Sequence, residues 1–143
     1  MNKIYISILI ACILSPDARS QQDNQPFHLS YFKGIPKVID GCGGTYTYDT
    51  TSLKKEKYIL ITNIQELAII RVNGKEISLH RTGNSQPAKD TNRDVYSGNG
   101  YEIIVILKEV RQSSDEETYE KGTLEIRYGK DRILYKIHGT AGC

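Results

Sequence analysis

Apolar and polar residues alternate most clearly on either side of Asn73-Gly74. Both residues of an Asn-Gly pair tolerate the positive φ that a two-residue type I′ turn requires, so the pattern predicts a β-hairpin. The predicted register pairs Val72 with Lys75, Arg71 with Glu76, Ile70 with Ile77, Ala68 with Leu79 and Leu67 with His80. One face of the hairpin is then apolar and the other polar, as in a half-buried sheet.

A second alternating stretch near the C-terminus also predicts a hairpin. We take residues 129–132 as its connection, because that register sets Glu125 opposite Lys136 and avoids a pairing of Arg127 with Arg132. The register places six residues in the core, paired as Tyr128 with Ile133, Ile126 with Tyr135 and Leu124 with Ile137.

Shorter apolar or β-branched runs predict further strands. The predicted strands are 27–32, as an edge strand, 45–48, 58–62 and 101–110. In the last of these the run of Ile and Val side chains favours a strand, since β-branched residues lose side-chain entropy in a helix. Residues 49–57 and 111–117 are charged and lack apolar periodicity, so they predict loops.

The stretch 81–100 has the least regular pattern and is rich in Gly, Ser, Asn and Asp. We expect a short strand at Val95-Tyr96 and a flexible tip from Thr82 to Asn92. Long loops in small domains often carry function. The candidate binding residues of this loop are Arg81, Asn84, Lys89, Arg93 and Tyr96.

Seven or eight strands in succession predict an all-β fold, a small antiparallel meander that forms either a barrel or a sandwich. Cys42 precedes the strands from residue 45 onward and Cys143 follows the last one, and two cysteines of an exported domain are expected to pair. A disulfide would draw the first and last strands together, as barrel closure does.

The first 20 residues predict a signal peptide, with Lys3 followed by the apolar run 4–14 and a polar end at Ser20. The alternative is a lipid anchor on Cys12, which is disfavoured because its leader would be shorter than the roughly 15 residues of a short signal. We therefore expect an exported protein, periplasmic or extracellular. Its predicted organisation is a signal peptide (1–20), a tether with the edge strand (21–33) and a single β domain (34–143).

Composition excludes some partners. The chain has 19 Lys and Arg against 17 Asp and Glu, so its near-zero net charge predicts no nucleic-acid binding. No apolar run is long enough for a transmembrane helix. Ten Tyr with two Phe and no Trp either line a recognition surface or fill the core, and we favour the core.

Four short motifs resemble those of a loose group of uncharacterised exported bacterial proteins. They are Gly41-Cys42-Gly43-Gly44 with Tyr46, Asn73-Gly74-Lys75, Gly122-Thr123-Leu124, and His138-Gly139 followed by Gly142-Cys143. Similar proteins carry a second cysteine where this chain has Gly44 and Ala141, so the resemblance implies one disulfide here instead of two. It implies no activity.

Catalytic and metal-binding patterns are weak. His28, His80 and His138 lie in separate segments without metal-ligand spacing, and the acidic residues 115–117 are typical of a solvated loop. We therefore assign no catalytic, cofactor or metal residues. The sequence favours a non-catalytic module that binds a protein or envelope ligand, distantly resembling small lysozyme-inhibitor barrels. The alternatives are a small hydrolase or metal enzyme and a structural envelope component.

Overall fold

The computed structural model describes residues 26–64, 66–112 and 114–143, which form a closed antiparallel barrel. Each strand pairs with its neighbours in the chain, and the last pairs with the first. The eight strands are β1 Gly43–Thr47, β2 Leu60–Asn63, β3 Leu67–Val72, β4 Lys75–Ala88, β5 Thr91–Gly98, β6 Tyr101–Gln112, β7 Glu117–Tyr128 and β8 Asp131–Gly142. The all-β prediction is confirmed, and the barrel form is realised, not the sandwich.

The predicted disulfide is also confirmed. Cys42 and Cys143 are bonded across the point where β1 begins and β8 ends, with their Cα atoms 4.2 Å apart. The bond indicates an oxidising compartment. The predicted signal peptide, Cys12 and the first part of the predicted tether lie outside the described residues. Among the residues that are described, no helix combines the length and apolar character needed to cross a bilayer.

The central hairpin, β3 and β4, has the predicted register at every pair. Asn73 and Gly74 have φ of 49° and 82°, as a type I′ turn requires. The apolar face of the hairpin lies in the core, where its buried members are Ala68, Ile70, Val72, Ile77 and Leu79. Turn chemistry and side-chain pattern agree here, so they fix one register.

The predicted register of the second hairpin, β7 and β8, is wrong by two residues. The connection is only Gly129-Lys130, and Arg127 does lie opposite Arg132. The two arginines are tolerated because the Glu125 carboxylate binds both, with Arg132 Nη2 at 2.7 Å from its Oε2. Gly129 has a φ of +59°, which suits the first position of a type II′ turn.

The register difference changes the core. Tyr128 is opposite Asp131 at the end of the barrel and is 45% exposed, so the prediction that it is a core residue is wrong. Tyr135 is partly buried against the core. The other four predicted core residues of this hairpin are buried: Leu124, Ile126, Ile133 and Ile137.

A short helix, α1 (Thr50–Lys54), replaces part of the predicted loop 49–57. Asp49 is its N-cap, and its Oδ1 accepts a hydrogen bond of 2.7 Å from the backbone N–H of Ser52. The helix packs against β1 and β8 and buries Ser52. The single cap and the barrel surface below it stabilise a helix too short to form alone.

The predicted edge strand at 27–32 is wrong as a strand, because only Leu29 forms a β-bridge, with Val72. The segment is nevertheless well anchored. Phe27 and Leu29 are 4% and 1% exposed, and the backbone N–H of Ser30 donates to the Arg71 carbonyl at 2.7 Å. These residues act as a plug instead of a sheet edge.

The flexible tip predicted from Thr82 to Asn92 is also wrong. β4 runs on to Ala88 and β5 begins at Thr91, so the connection is two residues long. Likewise β6 extends to Gln112, which shortens the predicted loop 111–117. Backbone pairing between neighbouring strands does not need apolar side chains, and polar strands therefore continue past the core. The short strand predicted at Val95-Tyr96 is confirmed within β5.

The barrel has two different ends. At the plugged end, Phe27 and Leu29 close the interior and three two-residue turns join the strands: Asn73-Gly74, Asn99-Gly100 and Gly129-Lys130. The opposite end, which we call the mouth, carries the disulfide and the tip of the β4–β5 hairpin. On this side β4 runs on from His80, which pairs with the first residue of β3, to Ala88.

Candidate functional site

The mouth of the barrel is lined by charged side chains that point inward. In β7, Leu124 is a core residue, and the alternation of a strand puts Glu120 on the same face four residues earlier. In β5, Tyr96 is buried and Asp94 shares its face. Both carboxylates line one cavity.

Tyr46 on β1 spans the mouth beside these carboxylates. Its side chain is buried, and its hydroxyl donates a hydrogen bond of 2.7 Å to Glu120 Oε2. A Cβ at Gly44 would lie 2.3 Å from the Tyr46 hydroxyl oxygen, and one at Gly139 would lie 2.2 Å from Cδ1 of the ring. These two glycines leave the space that the ring occupies, so two of the sequence motifs meet at Tyr46.

Arg81 supplies a positive charge to the mouth. Its Nε lies 3.5 Å from Asp94 Oδ1, and its guanidinium carbon is 5.8 Å from the centre of the Tyr96 ring. The Nε atom is buried and has no hydrogen-bond partner among the described residues. Arg81 thus balances Asp94 electrostatically, through a contact longer than a good hydrogen bond.

Burial shifts the titration of these groups. It raises the pKa of the Glu120 carboxyl, and the negative charges of Glu109 and Asp94 raise it further, against the hydrogen bond from Tyr46. Burial also raises the pKa of Asp94, although Arg81 opposes that shift. The pKa of the Tyr46 hydroxyl is raised by burial and by Glu120. The mouth therefore holds poorly solvated negative charge.

The cavity at the mouth has a volume of about 260 Å³. Val105 and Leu107 contribute apolar surface to it, and Tyr46, Arg81 and the two carboxylates contribute polar groups. At roughly 30 Å³ per water molecule, the space suits about eight waters or one small molecule. An apolar wall with a few convergent polar groups is typical of ligand sites.

Comparison with known proteins does not assign this site. No family model, curated protein or solved structure matches the chain. The resemblance to exported proteins with a Gly-Cys turn therefore stays a prediction from its motifs, and function must be inferred from the mouth itself.

The five candidate binding residues of the sequence divide between two places. Arg81 and Tyr96 line the mouth cavity. Asn84 and Lys89 are exposed on the outer part of the β4–β5 hairpin, and Arg93 alternates with Asp94 and so lies on the opposite face of β5. The structure thus brings two of the five residues together and leaves three outside the cavity.

Three residues of the mouth were not among the predicted binding residues: Asp94, Glu120 and Tyr46, which the sequence marked only as part of a motif. A usable signal was present for the two carboxylates, because Asp94 lies two positions from Tyr96 and Glu120 lies four positions from Leu124, each a core residue of the same strand. Polar character near a strand end suggests a solvent-facing position, whereas the phase of the alternation continues to the end of the strand. Apolar character alone does not mark the inner face at a barrel end.

The histidines lie apart from one another. His28 is at the plugged end, where its backbone N–H donates to Asn73. His80 is exposed on β4, and His138 on β8 is hydrogen-bonded through Nδ1 to the Tyr119 hydroxyl at 2.8 Å. Within the described ranges, no group of three or more His, Cys, Asp or Glu side chains is placed to hold a metal ion.

Proposed function

We propose that the protein is an exported, non-catalytic binding module that takes a small ligand group into the mouth of its barrel. The observation that carries this proposal is the mouth cavity itself, with Tyr46, Arg81, Asp94 and Glu120 converging on it from β1, β4, β5 and β7. Four strands therefore contribute one side chain each to a single small space.

The energetic character of the mouth supports a binding role. Asp94 and Glu120 are partly buried, and partial burial of a carboxylate is unfavourable unless it is paired, whereas an apolar filling of similar volume is often more stable. The plugged end of the same barrel has such an apolar filling, with Phe27 and Leu29. Charged side chains held in the other end are therefore better explained by recognition than by stability.

The rigidity of the mouth also supports binding. Its polar residues lie on strands, and the Cys42–Cys143 bond ties β1 to β8 beside them. Groups held on rigid strands lose little entropy when a ligand binds, which favours affinity. A mobile loop is not needed, since the β4–β5 hairpin is paired almost to its tip.

A hydrolase is the second candidate, because two carboxyls with raised pKa values face one cavity, as acid–base pairs do in enzymes. The two candidates differ in what Glu120→Gln does. In a hydrolase it abolishes turnover of a substrate that still binds, whereas in a binding module there is no turnover to lose.

The test is an NMR titration of the purified exported protein with fractionated envelope extract. Binding at the mouth predicts that amide shifts concentrate around Tyr46, Asp94 and Glu120, and that Glu120→Gln weakens them. Glu76→Gln is the matched control, because Glu76 is exposed at the plugged end. Shifts confined to the hairpin tip around Lys89, or equal effects of both variants, would contradict the proposal.

The inhibitor form of the proposal has its own measurement. If the ligand group belongs to an enzyme such as a lysozyme, excess protein reduces lysozyme activity, and Glu120→Gln relieves that inhibition. Unchanged lysozyme activity excludes that target and leaves other ligands of the mouth to the NMR titration.

A further inference from the structure

The charges that face the mouth indicate the chemical class of its ligand. Asp94 and Glu120 line the cavity, and Glu109, opposite Glu120 in the β6–β7 pairing, adds a third negative charge nearby. Arg81 from β4 contributes one positive charge. The lining therefore has two negative charges against one positive charge, and both carboxylates are partly buried.

Glu120 is the group that lacks a counter-charge. Its hydrogen-bond donor is the neutral Tyr46 hydroxyl, and none of the ion pairs among the described residues includes it. Arg81 is already beside Asp94 and over the Tyr96 ring. A poorly solvated carboxylate with only a neutral donor is stabilised by an arriving cation.

The same strand provides an internal comparison. Glu125, five residues further along β7, lies on the outer face and is bound by both Arg127 and Arg132. The chain thus supplies two arginines to the outer carboxylate and a hydroxyl to the inner one. A cation that neutralises Glu120 must therefore come from outside the described part of the chain.

The shape of the cavity favours an organic cation over a metal ion. No group of three metal-binding side chains converges within the described residues, whereas metal ions need several close ligands. The cavity also presents apolar surface from Val105 and Leu107 next to the carboxylates. An alkyl chain can lie on that surface while a charged head group meets Glu120 and Asp94.

We infer that the mouth binds an alkylammonium group, a primary amine on a short unbranched chain. This inference depends on the proposed function, since it names the ligand class of the same site. The group can belong to a free amine or to a lysine side chain of a partner, because both offer the same ammonium and methylene groups. The cavity volume admits either one.

Three probes of equal size test the charge: butylammonium, butanol and butyrate, each titrated into the 15N-labelled protein near pH 7. We expect butylammonium to shift the amide resonances around Tyr46, Asp94 and Glu120 and to bind at least about tenfold more tightly than butanol. Glu120→Gln, which keeps the side-chain shape, should lower butylammonium affinity by a similar factor. The control Glu76→Gln should leave it unchanged.

A pH series adds an independent readout. Because burial raises the pKa of both mouth carboxyls, their protonation should weaken butylammonium binding as the pH falls, while butanol binding changes little. If Glu120→Gln proves unstable, Asp94→Asn replaces it in the same titration. Thermal unfolding of each variant shows whether it is folded.

The outcomes separate the two proposals. If butanol or butyrate binds the mouth as tightly as butylammonium, the charge inference is overturned while the binding site stands. If envelope extract shifts the amide resonances of the mouth but no probe does, the charge inference is likewise overturned. If neither the extract nor any probe shifts these resonances, both the charge inference and the proposed function are contradicted. A comparison of butylammonium with Nα-acetyl-lysine amide then shows whether a free amine or a lysine side chain is preferred.

Discussion

The interior of this barrel is filled by apolar side chains at one end and by charged and polar side chains at the other. At the plugged end the interior is filled by apolar and aromatic side chains, and Phe27 meets Tyr101 edge to face at 6.0 Å between ring centres. At the mouth the interior is filled by Tyr46, Glu120 and the Arg81–Asp94 pair around a cavity. One end is built for stability and the other retains charge in a poorly solvated space.

The difference extends to how each end is held. A buried apolar side chain contributes about 1.5–3 kcal/mol, so the plugged end is stabilised by its own packing. The mouth gains less from packing, since its carboxylates and Arg81 lose hydration there. Its strands are instead tied by the Cys42–Cys143 bond. The covalent link lies at the end where packing is weaker.

Removing the disulfide should have the largest effect on stability. The bond closes a loop with a sequence separation of 101, and in the chain-entropy model a loop of about 100 residues stabilises by roughly 4.7 kcal/mol. We expect Cys42→Ser with Cys143→Ser to lower the free energy of unfolding by about 4 kcal/mol in urea titrations. Hydrogen exchange should increase first at the mouth, and an equal increase at the plugged end would contradict the comparison.

Truncating the plug should have the next largest effect. Leu29 is 1% exposed, and replacing a fully buried leucine by alanine typically costs about 2–5 kcal/mol. We expect Leu29→Ala to lower the free energy of unfolding by about 3 kcal/mol. Leu134→Ala, at a residue that is 60% exposed, is the control and should change it by less than about 0.5 kcal/mol. A Leu29→Ala variant as stable as this control would show that the segment is not a plug.

These two ends also differ in how well the sequence predicted them. The turn at Asn73-Gly74 was predicted correctly with its register, because turn chemistry and alternation point the same way. Asn99-Gly100 is a second type I′ turn, with φ of 55° and 82°, and the same dipeptide rule would have revealed it. Local signals of this kind concentrate at the plugged end.

The mouth was harder to predict because its features depend on distant residues. One register at the plugged end was missed for a related reason, because the β7–β8 pairing follows a Glu125 bridge that makes opposed arginines favourable, which pairwise charge rules reject. Strands β4 and β5 continue through polar sequence because they pair with each other. Glu120 meets Tyr46, 74 positions earlier, only once the barrel is closed.

Neutralising one carboxylate on each face of β7 should give opposite, smaller effects. Burial raises the Glu120 pKa above its ordinary 4.5, so its stabilising contribution exists at lower pH and is lost as the pH rises through the folded value. Arg132 and Arg127 lower the Glu125 pKa, so its contribution is present above 4.5 and is lost as the pH falls.

We therefore expect Glu120→Gln to raise the free energy of unfolding near pH 7 and Glu125→Gln to lower it, each by about 1 kcal/mol or less. Urea titrations between pH 3 and 8 measure both effects. The wild-type and variant curves should converge toward low pH in each case, since both carboxyls are then protonated. A loss of stability in Glu120→Gln at neutral pH would show that the mouth carboxylate is stabilising and would remove the contrast between the ends.

The smallest effect on stability is expected at the tip of the β4–β5 hairpin. A variant at this tip can be compared with a variant of the same hairpin inside the mouth. Lys89 is exposed in the connection between the strands, so Lys89→Ala should change the free energy of unfolding by less than about 0.5 kcal/mol. It should also leave butylammonium affinity within twofold of wild type, because Lys89 does not line the cavity. Arg81→Gln lies in the same hairpin but inside the mouth. It should raise the affinity for butylammonium, because it removes the positive charge beside Asp94. If Lys89→Ala changes affinity and Arg81→Gln does not, the ligand is recognised by the tip, and the charged interior of the mouth needs another explanation.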